Sequence, residues 1–85
     1  ITGCPKVRCL EIIEELEPVR RSLFYGSCGY LDQRGNLDLN ILIRTLLFTD
    51  TQVIGQVGAG IVADSEPTQE WQESLQKAQA QWSAL

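Results

Sequence analysis

Three charged side chains near one end of the sequence are spaced so that they could act on a ligand together. Glu70, Glu73 and Lys77 are separated by three and four positions, and this spacing places them on one stripe of an α-helix. Their carboxylates and ammonium group could hold a hard divalent cation together with a carboxylated ligand. The same spacing is typical of ion pairs on a solvated helix face, so the residues alone leave both alternatives open.

A second group of candidates precedes that helix. Arg44 lies among apolar residues that alternate as in a strand, where a guanidinium is costly to bury without a carboxylate. The partner could be an internal carboxylate, such as that of Asp38, or it could be a ligand carboxylate bound by two hydrogen bonds from the guanidinium. Gly58, Ala59 and Gly60 carry no large side chains, so their backbone N–H groups could approach an anion closely. A tight exit from a strand would explain these glycines equally well.

Two helices are predicted to flank these candidates. Pro5 favours the first turn of a helix, and apolar residues recur near a 3.6-residue period until Pro18 ends the pattern. The second helix is predicted to start at Pro67, after a start signal in 64–65, and to continue to about Ala84. Its apolar stripe consists of Trp71, Leu75, Ala78, Trp82 and Leu85.

Three strands are predicted between the helices. They cover 23–31, 37–48 and 53–59, with a hairpin loop at 32–36 and a turn at 49–51. The predicted fold class is therefore α+β: a helix, a three-stranded antiparallel meander and a helix, with both helices packed on one sheet. The other face of that sheet would be bare, so we expect these elements to complete a larger sheet.

Composition and charge narrow the class of protein. Seven basic and eleven acidic residues give a net charge of −4, which disfavours binding to nucleic acid or to an anionic membrane. No signal peptide or membrane-spanning run is recognisable, so a cytoplasmic location is the default expectation. Cys4, Cys9 and Cys28 lack CxxC spacing and are predicted to be small buried thiols. With 85 residues, no methionine and a motif at Ile1, the chain is expected to be a piece of a longer enzyme with a thin core.

Several motifs in this order resemble one family. The segment GAGIVADS, then Pro67 and ExxExxxK, is similar to the C-terminal part of the chorismate-utilising enzymes. These comprise component I of aminodeoxychorismate synthase and of anthranilate synthase, isochorismate synthase and salicylate synthase. The likeness extends through the TGCPK and IRT motifs and covers nearly the whole chain. It implies that 1–85 form the C-terminal fragment of a chorismate-binding catalytic domain of α/β type.

The resemblance also implies roles for the helix residues. Glu73 matches a magnesium ligand of the family, and Glu70 matches a neighbouring acidic position that could hold metal-bound water. Lys77 matches an active-site lysine that lies opposite the main general base or nucleophile. The family's other metal-binding glutamate and its adduct-forming lysine belong to upstream segments that these 85 residues do not contain.

For the strand and loop residues the resemblance implies contacts with the substrate. Arg44 matches the arginine that binds a carboxylate of chorismate, and the backbone of 58–60 matches a Gly-Ala-Gly segment that binds the same group. Thr2 and Gly3 match the start of a motif that lines the pocket.

One position departs from the pattern of the family. Anthranilate and salicylate synthases have tyrosine twenty positions before the arginine, whereas this sequence has Phe24, which supplies an aromatic wall but no hydroxyl. Tyr25 is adjacent, yet on a strand it is expected to face the other way. The sequence also begins with Ile-Thr-Gly, where Leu-Ser-Gly is more usual in anthranilate synthases. Within the family, both features favour a resemblance to aminodeoxychorismate synthase.

The implied function is magnesium-dependent amination of chorismate, with ammonia from a glutamine amidotransferase partner, toward p-aminobenzoate and folate. Magnesium would hold the ring carboxylate while the arginine and the glycine backbone hold the enolpyruvyl carboxylate. Anthranilate synthase is the alternative within the family, followed by isochorismate or salicylate synthase. A non-catalytic domain fragment is the alternative of another class. The 85 residues alone are expected to be inactive.

Overall fold

The computed structural model describes all residues from 1 to 85. It contains two helices and four strands, in the order α1 (Lys6–Leu16), β1 (Ser27–Leu31), β2 (Leu37–Ile41), β3 (Leu46–Phe48), β4 (Val53–Gly55) and α2 (Pro67–Trp82). The strands form two separate antiparallel pairs, β1 with β2 and β3 with β4. The predicted α+β class and the order of helix, strands and helix are confirmed.

Prolines mark the start of both helices and the end of the first. Pro5 immediately precedes α1, and the helix ends at Leu16, before Pro18. In α2, Pro67 occupies the first turn. Backbone N–H groups in the first turn have no intrahelical acceptor, so proline costs no hydrogen bond there. Both predicted helices are confirmed to within two residues at each end. Neither is long and apolar enough to cross a membrane.

A tight loop joins β1 to β2. The Asp32 carboxylate accepts hydrogen bonds from the backbone N–H groups of Arg34 and Asn36 and from the Asn36 side-chain amide. The bonds from Asn36 are the main reason that the pKa of Asp32 is lowered. Gly35 adopts a φ of 84°, which glycine reaches without steric cost. The predicted hairpin loop at 32–36 is confirmed.

The first strand is shorter than predicted. Residues 22–25 form turns in which the N–H of Phe24 donates to the Arg21 carbonyl and that of Gly26 to the Leu23 carbonyl. Tyr25 adopts a φ of 62°, in the left-handed region that few non-glycine residues occupy. The expectation of a strand from Leu23 was wrong because these turns satisfy the backbone locally.

The strand predicted over 37–48 is divided into β2 and β3. Leu42 still pairs with the preceding segment, since its carbonyl accepts from the Tyr25 N–H and its own N–H donates to Gly26. The N–H of Ile43 then bonds back to the Ile41 carbonyl, and Arg44 adopts a φ of 51°. This turn produces two hairpins in place of a three-stranded meander, and it removes Arg44 from the face shared with Asp38. The last predicted strand also ends early, at Gly55 rather than residue 59.

The chain has no enclosed core. No residue is fully buried, and the accessible surface is 7441 Å², whereas a compact protein of this mass exposes roughly 5,000 Å². The radius of gyration is 15.3 Å, against about 12 Å for a compact domain of this length. The expected packing of both helices on one sheet is therefore wrong, as is the burial of the thiols: Cys4 and Cys28 are exposed and Cys9 is half-buried.

The polar side of α2 faces the rest of the chain. Its half-buried residues are Glu70, Ser74, Lys77, Ala78 and Gln81. The indoles on the predicted apolar stripe remain open, with Trp71 64% and Trp82 77% exposed. The helix thus directs part of its charged stripe toward residues 58–60 and leaves the large side chains of its apolar stripe exposed.

Gly29 permits a close approach between the strands of the first hairpin. A Cβ added there would lie 1.9 Å from the Asp38 carbonyl oxygen, an overlap that only backbone movement could relieve. In the full-length protein, Gly29→Ala is expected to destabilise this region by at least about 3 kcal/mol, measured by thermal unfolding. Gly35→Asn is the matched control, because nothing lies within 4 Å of its Cβ position and asparagine tolerates positive φ. Equal stability of the two variants would contradict the strand register.

Candidate functional site

The Gly-Ala-Gly segment, Gly58–Gly60, lies at the centre of the candidate site. It is half-buried, and it borders three cavities, each of which contains residues predicted from the sequence. None of its three backbone N–H groups donates a hydrogen bond within the chain. Because backbone donors of folded proteins are almost always paired, these groups are available to an anionic ligand.

The first cavity, here the arginine cleft, measures about 130 Å³ and brings four predicted residues together. Its lining includes Phe24, Tyr25, Arg44, Gly58 and Lys77. The guanidinium of Arg44 forms no ion pair, since the four ion pairs of the chain involve other residues. The internal partner considered for it, a carboxylate such as that of Asp38, is therefore not used. An unpaired guanidinium in the same cleft as Gly58, whose N–H group donates no hydrogen bond within the chain, suits a ligand carboxylate.

Lys77 ties α2 to the Gly-Ala-Gly segment. Its ammonium group donates to the Gly58 carbonyl, at 3.2 Å, and forms an ion pair with Glu73 on the preceding turn. The ion pair that this spacing predicts therefore forms between Glu73 and Lys77. The lysine nevertheless extends into the arginine cleft, where its charge also favours anions.

The two candidate metal ligands have different surroundings. Glu70 is half-buried and lines a second cavity, here the helix-start cavity, with Ala59, Ser65 and Pro67. The side chain of Glu73 is 54% exposed. It does not line the arginine cleft, but it forms an ion pair with Lys77, which does. No cluster of three acidic, cysteine or histidine side chains suited to a metal ion exists in the chain. Two carboxylates one turn apart fit the part of a magnesium site that protein usually supplies, with water and substrate oxygens completing it.

Thr2 and Gly3 lie apart from Arg44. They line a third cavity, here the threonine cavity, of about 370 Å³, together with Ala59 and Gly60. The Thr2 hydroxyl accepts a hydrogen bond from the Lys6 ammonium. A Cβ at Gly60 would lie 2.9 Å from the Ile1 Cδ1 atom, so the end of the Ile1 side chain lies next to this glycine. The structure therefore places the sequence candidates around one segment but not in one cavity.

Tyr25 is a cleft residue that the sequence analysis missed. It was expected to face away from Phe24, but the two rings pack edge to face with centroids 4.6 Å apart, and both line the arginine cleft. The cause is the positive φ at Tyr25, which breaks the alternation of a strand. Neither residue type nor spacing signals this conformation. The aromatic wall of the cleft therefore consists of Phe24 and Tyr25.

Arg21 and Glu17 were also missed. The guanidinium makes three hydrogen bonds to the Glu17 carboxylate, at 2.7 to 3.1 Å. These bonds are the main reason that the pKa of Glu17 is lowered and that of Arg21 raised, so both stay charged at neutral pH. The only signal in the sequence was the adjacency of Arg20 and Arg21, which interrupts the scattered distribution of basic residues.

Residues 1–83 match the sequence pattern of the chorismate binding enzyme family. The chain belongs to that family, and the resemblance drawn from its motifs is confirmed.

Individual relatives carry more than one name. Over 85 residues and all of this chain, identity is 85% to an anthranilate synthase component I-like protein of Synechocystis. Over the same length it is 53% to aminodeoxychorismate synthase component 1 of Bacillus subtilis and 49% to anthranilate synthase component 1 of Aquifex aeolicus. The chain covers 18%, 18% and 17% of these proteins, so it spans less than a fifth of the curated relatives it matches.

Proposed function

We propose that this chain supplies one side of the chorismate site of an aminodeoxychorismate synthase component I. The observation that carries the proposal is the arginine cleft, which is lined both by Arg44, whose guanidinium forms no ion pair, and by Gly58, the first residue of a segment whose N–H groups donate no hydrogen bond within the chain. Arg44 and Gly58–Gly60 would bind the enolpyruvyl carboxylate, with Phe24 as an aromatic wall. Thr2 and Gly3 would approach the same segment from the threonine cavity. As the C-terminal fragment of its catalytic domain, the chain would complete the site with residues from the rest of the polypeptide.

Magnesium is the cofactor that this proposal includes. Glu73, with Glu70 one turn before it, would hold the ion. Glu70 lines a cavity with Ala59, and Glu73 pairs with Lys77, whose ammonium group donates to the Gly58 carbonyl; both observations support this. When bound, the ion would neutralise the ring carboxylate and help to fix it. Lys77 would leave its ion pair with Glu73 partly or wholly and place its ammonium in the cleft, where it can stabilise negative charge or hold a proton.

Two observations favour the aminodeoxychorismate product. Phe24 offers no hydroxyl at the position where the resemblance places tyrosine in anthranilate synthases. Identity to the B. subtilis aminodeoxychorismate synthase is also higher than identity to the Aquifex anthranilate synthase, 53% against 49%. Ammonia would come from a glutamine amidotransferase subunit or domain, and the product would lead to p-aminobenzoate and folate.

Anthranilate synthase is the second candidate, and a specific observation favours it. Tyr25 lines the arginine cleft beside Phe24, so a tyrosine is present next to the residue that lacks a hydroxyl. The Synechocystis relative, at 85% identity, also carries an anthranilate synthase-like name. Full-length protein incubated with chorismate, Mg²⁺ and ammonium salt, followed by identification of the product, distinguishes the two. Aminodeoxychorismate supports the first proposal, anthranilate the second, and no turnover contradicts both.

The 85-residue chain alone is expected to be inactive. It buries only about 46% of the roughly 13,800 Å² that its unfolded form would expose, and it lacks a third acidic metal ligand. Its urea unfolding should be broad and weakly cooperative, with no chorismate turnover at any Mg²⁺ concentration. Far- and near-UV circular dichroism during the titration would test this. A sharp transition, or product formation, would contradict it.

A further inference from the structure

Arg21 joins three parts of the chain that are distant in sequence. Besides its bonds to Glu17, its Nη1 group donates to the Ile1 carbonyl, at 3.0 Å and across 20 positions. Its guanidinium carbon also lies 5.6 Å from the centroid of the Tyr25 ring, within the range of a cation–π contact. One side chain therefore contacts the end of α1, the segment that precedes Thr2, and the aromatic wall of the arginine cleft.

Each of these contacts leads to a residue of the candidate site. Ile1 precedes Thr2, and its side chain lies next to Gly60. The hydrogen bond from Arg21 to the Ile1 carbonyl therefore helps to keep residues 1–3 beside the Gly-Ala-Gly segment. Tyr25 lines the arginine cleft beside Gly58. Arg21 itself lines the threonine cavity but not the arginine cleft. It can therefore affect that cleft only through Tyr25 and the Gly-Ala-Gly segment.

Arg21 and Glu17 form an ion pair that is partly shielded from water. Their side chains are 20% and 36% exposed, and the Nε and Nη2 groups of Arg21 bond to the two carboxylate oxygens of Glu17. The neighbouring pair, Arg20 with Glu14, has one hydrogen bond and an arginine that is 86% exposed. Fully exposed pairs of that kind contribute little, whereas shielded and bidentate ones fix geometry.

We propose that Arg21 is a positioning residue, which sets the distance between the Gly-Ala-Gly segment and the aromatic wall at Tyr25 and thereby determines the affinity for the dianionic substrate. The inference rests on the proposed function, because it assigns the substrate to that cleft. It predicts a loss of substrate binding in the arginine cleft, which Arg21 does not line. Replacement by lysine should restore binding only in part, because an ammonium can pair with Glu17 but cannot bond to Ile1 and cover the Tyr25 ring in the same way.

The test compares steady-state kinetics of full-length variants with chorismate, Mg²⁺ and ammonium salt. Arg21→Ala is expected to raise the KM for chorismate at least about tenfold while kcat changes less than about threefold, because a misplaced wall weakens ground-state and transition-state binding alike. Arg21→Lys should lie between this variant and the wild type. Glu17→Gln, which leaves the bonds to Ile1 and Tyr25 in place, should raise KM less than Arg21→Ala. Arg20→Ala is the matched control and should match the wild type within about twofold.

The outcomes separate the inference from the proposed function. If the wild-type protein does not consume chorismate, the proposed function fails. If it does, and Arg21→Ala lowers kcat in proportion to its folded fraction with KM unchanged, Arg21 only supports folding and the inference is overturned. Equal KM values for the Arg20 and Arg21 variants would also overturn it. A raised KM in Arg21→Ala that lysine partly reverses supports it.

Discussion

Arg44→Ala in the full-length enzyme is expected to lower kcat/KM for chorismate by about 10²- to 10³-fold. The guanidinium has no internal partner, so its charge-assisted hydrogen bonds are available to the substrate carboxylate, and two such bonds contribute about 3 to 4 kcal/mol. Each tenfold change in kcat/KM corresponds to about 1.4 kcal/mol. Steady-state kinetics over a wide range of chorismate concentrations would measure the loss.

The backbone at Arg44 calls for a second variant. Its φ of 51° is strained for alanine by roughly 1 kcal/mol, so a loss in Arg44→Ala could include misfolding. Arg44→Gly removes the side chain without that strain and is expected to lose as much activity while unfolding at the same temperature as the wild type. Arg34→Ala, in the exposed loop of the first hairpin, should retain full activity. Recovery of activity in the glycine variant would assign the defect to the backbone and contradict a role in binding.

Glu73→Gln is expected to weaken the apparent affinity for Mg²⁺ by at least about tenfold and to lower kcat about 100-fold at a fixed, low Mg²⁺ concentration. Glutamine keeps the size of the side chain but removes the charge that a hard cation prefers. Glu70→Gln should have a smaller effect, because this residue is assigned to metal-bound water. The measurement is a Mg²⁺ titration of turnover, repeated as a titration of thermal stability in the presence of chorismate.

The ion pair between Glu73 and Lys77 complicates that result and also supplies its control. Lys77→Met breaks the same pair but leaves the carboxylate, so it should not weaken Mg²⁺ binding even where it lowers kcat. Glu66→Gln removes a carboxylate just before α2 that makes no capping bond, and it should leave the titration unchanged. If Lys77→Met and Glu73→Gln weaken Mg²⁺ binding equally, the pair acts as a structural unit and Glu73 is not a metal ligand.

Strong local signals made both helices and one hairpin predictable. Pro5, Pro18 and Pro67 restrict where a helix can begin or end whatever surrounds them. Asp32 and Gly35 likewise favour a tight loop through side-chain bonds and positive φ that need no distant partner. These elements were located to within a few residues because the forces that form them act within about five positions.

The errors in the first two predicted strands share a physical cause. Tyr25 and Arg44 both adopt positive φ, and aromatic and long side chains give no sign of that conformation in a sequence. The predicted strands continued through both positions, which placed Tyr25 outside the cleft and Arg44 on a face shared with Asp38. Turning the chain at these two residues is what brings the tyrosine and the arginine into the same cleft.

The apolar stripe of α2 shows a different limit. Periodicity identified Trp71, Leu75 and Trp82 as one face, but it could not indicate what covers that face. Here the face is open, and the polar side of the helix lies against the Gly-Ala-Gly segment instead. Helical spacing identified Glu70, Glu73 and Lys77 as a second stripe, and the motif resemblance indicated that this stripe belongs with that segment.

The Gly-Ala-Gly segment forms a wall common to three cavities. A molecule that immobilises this backbone from one side therefore also sets the shape of the other two spaces. Thermodynamic linkage then requires the effect to be mutual: whatever factor one occupant adds to the affinity of a second, the second returns to the first. Through the shared backbone of Gly58–Gly60, binding in one of these cavities would be cooperative with binding in the other two.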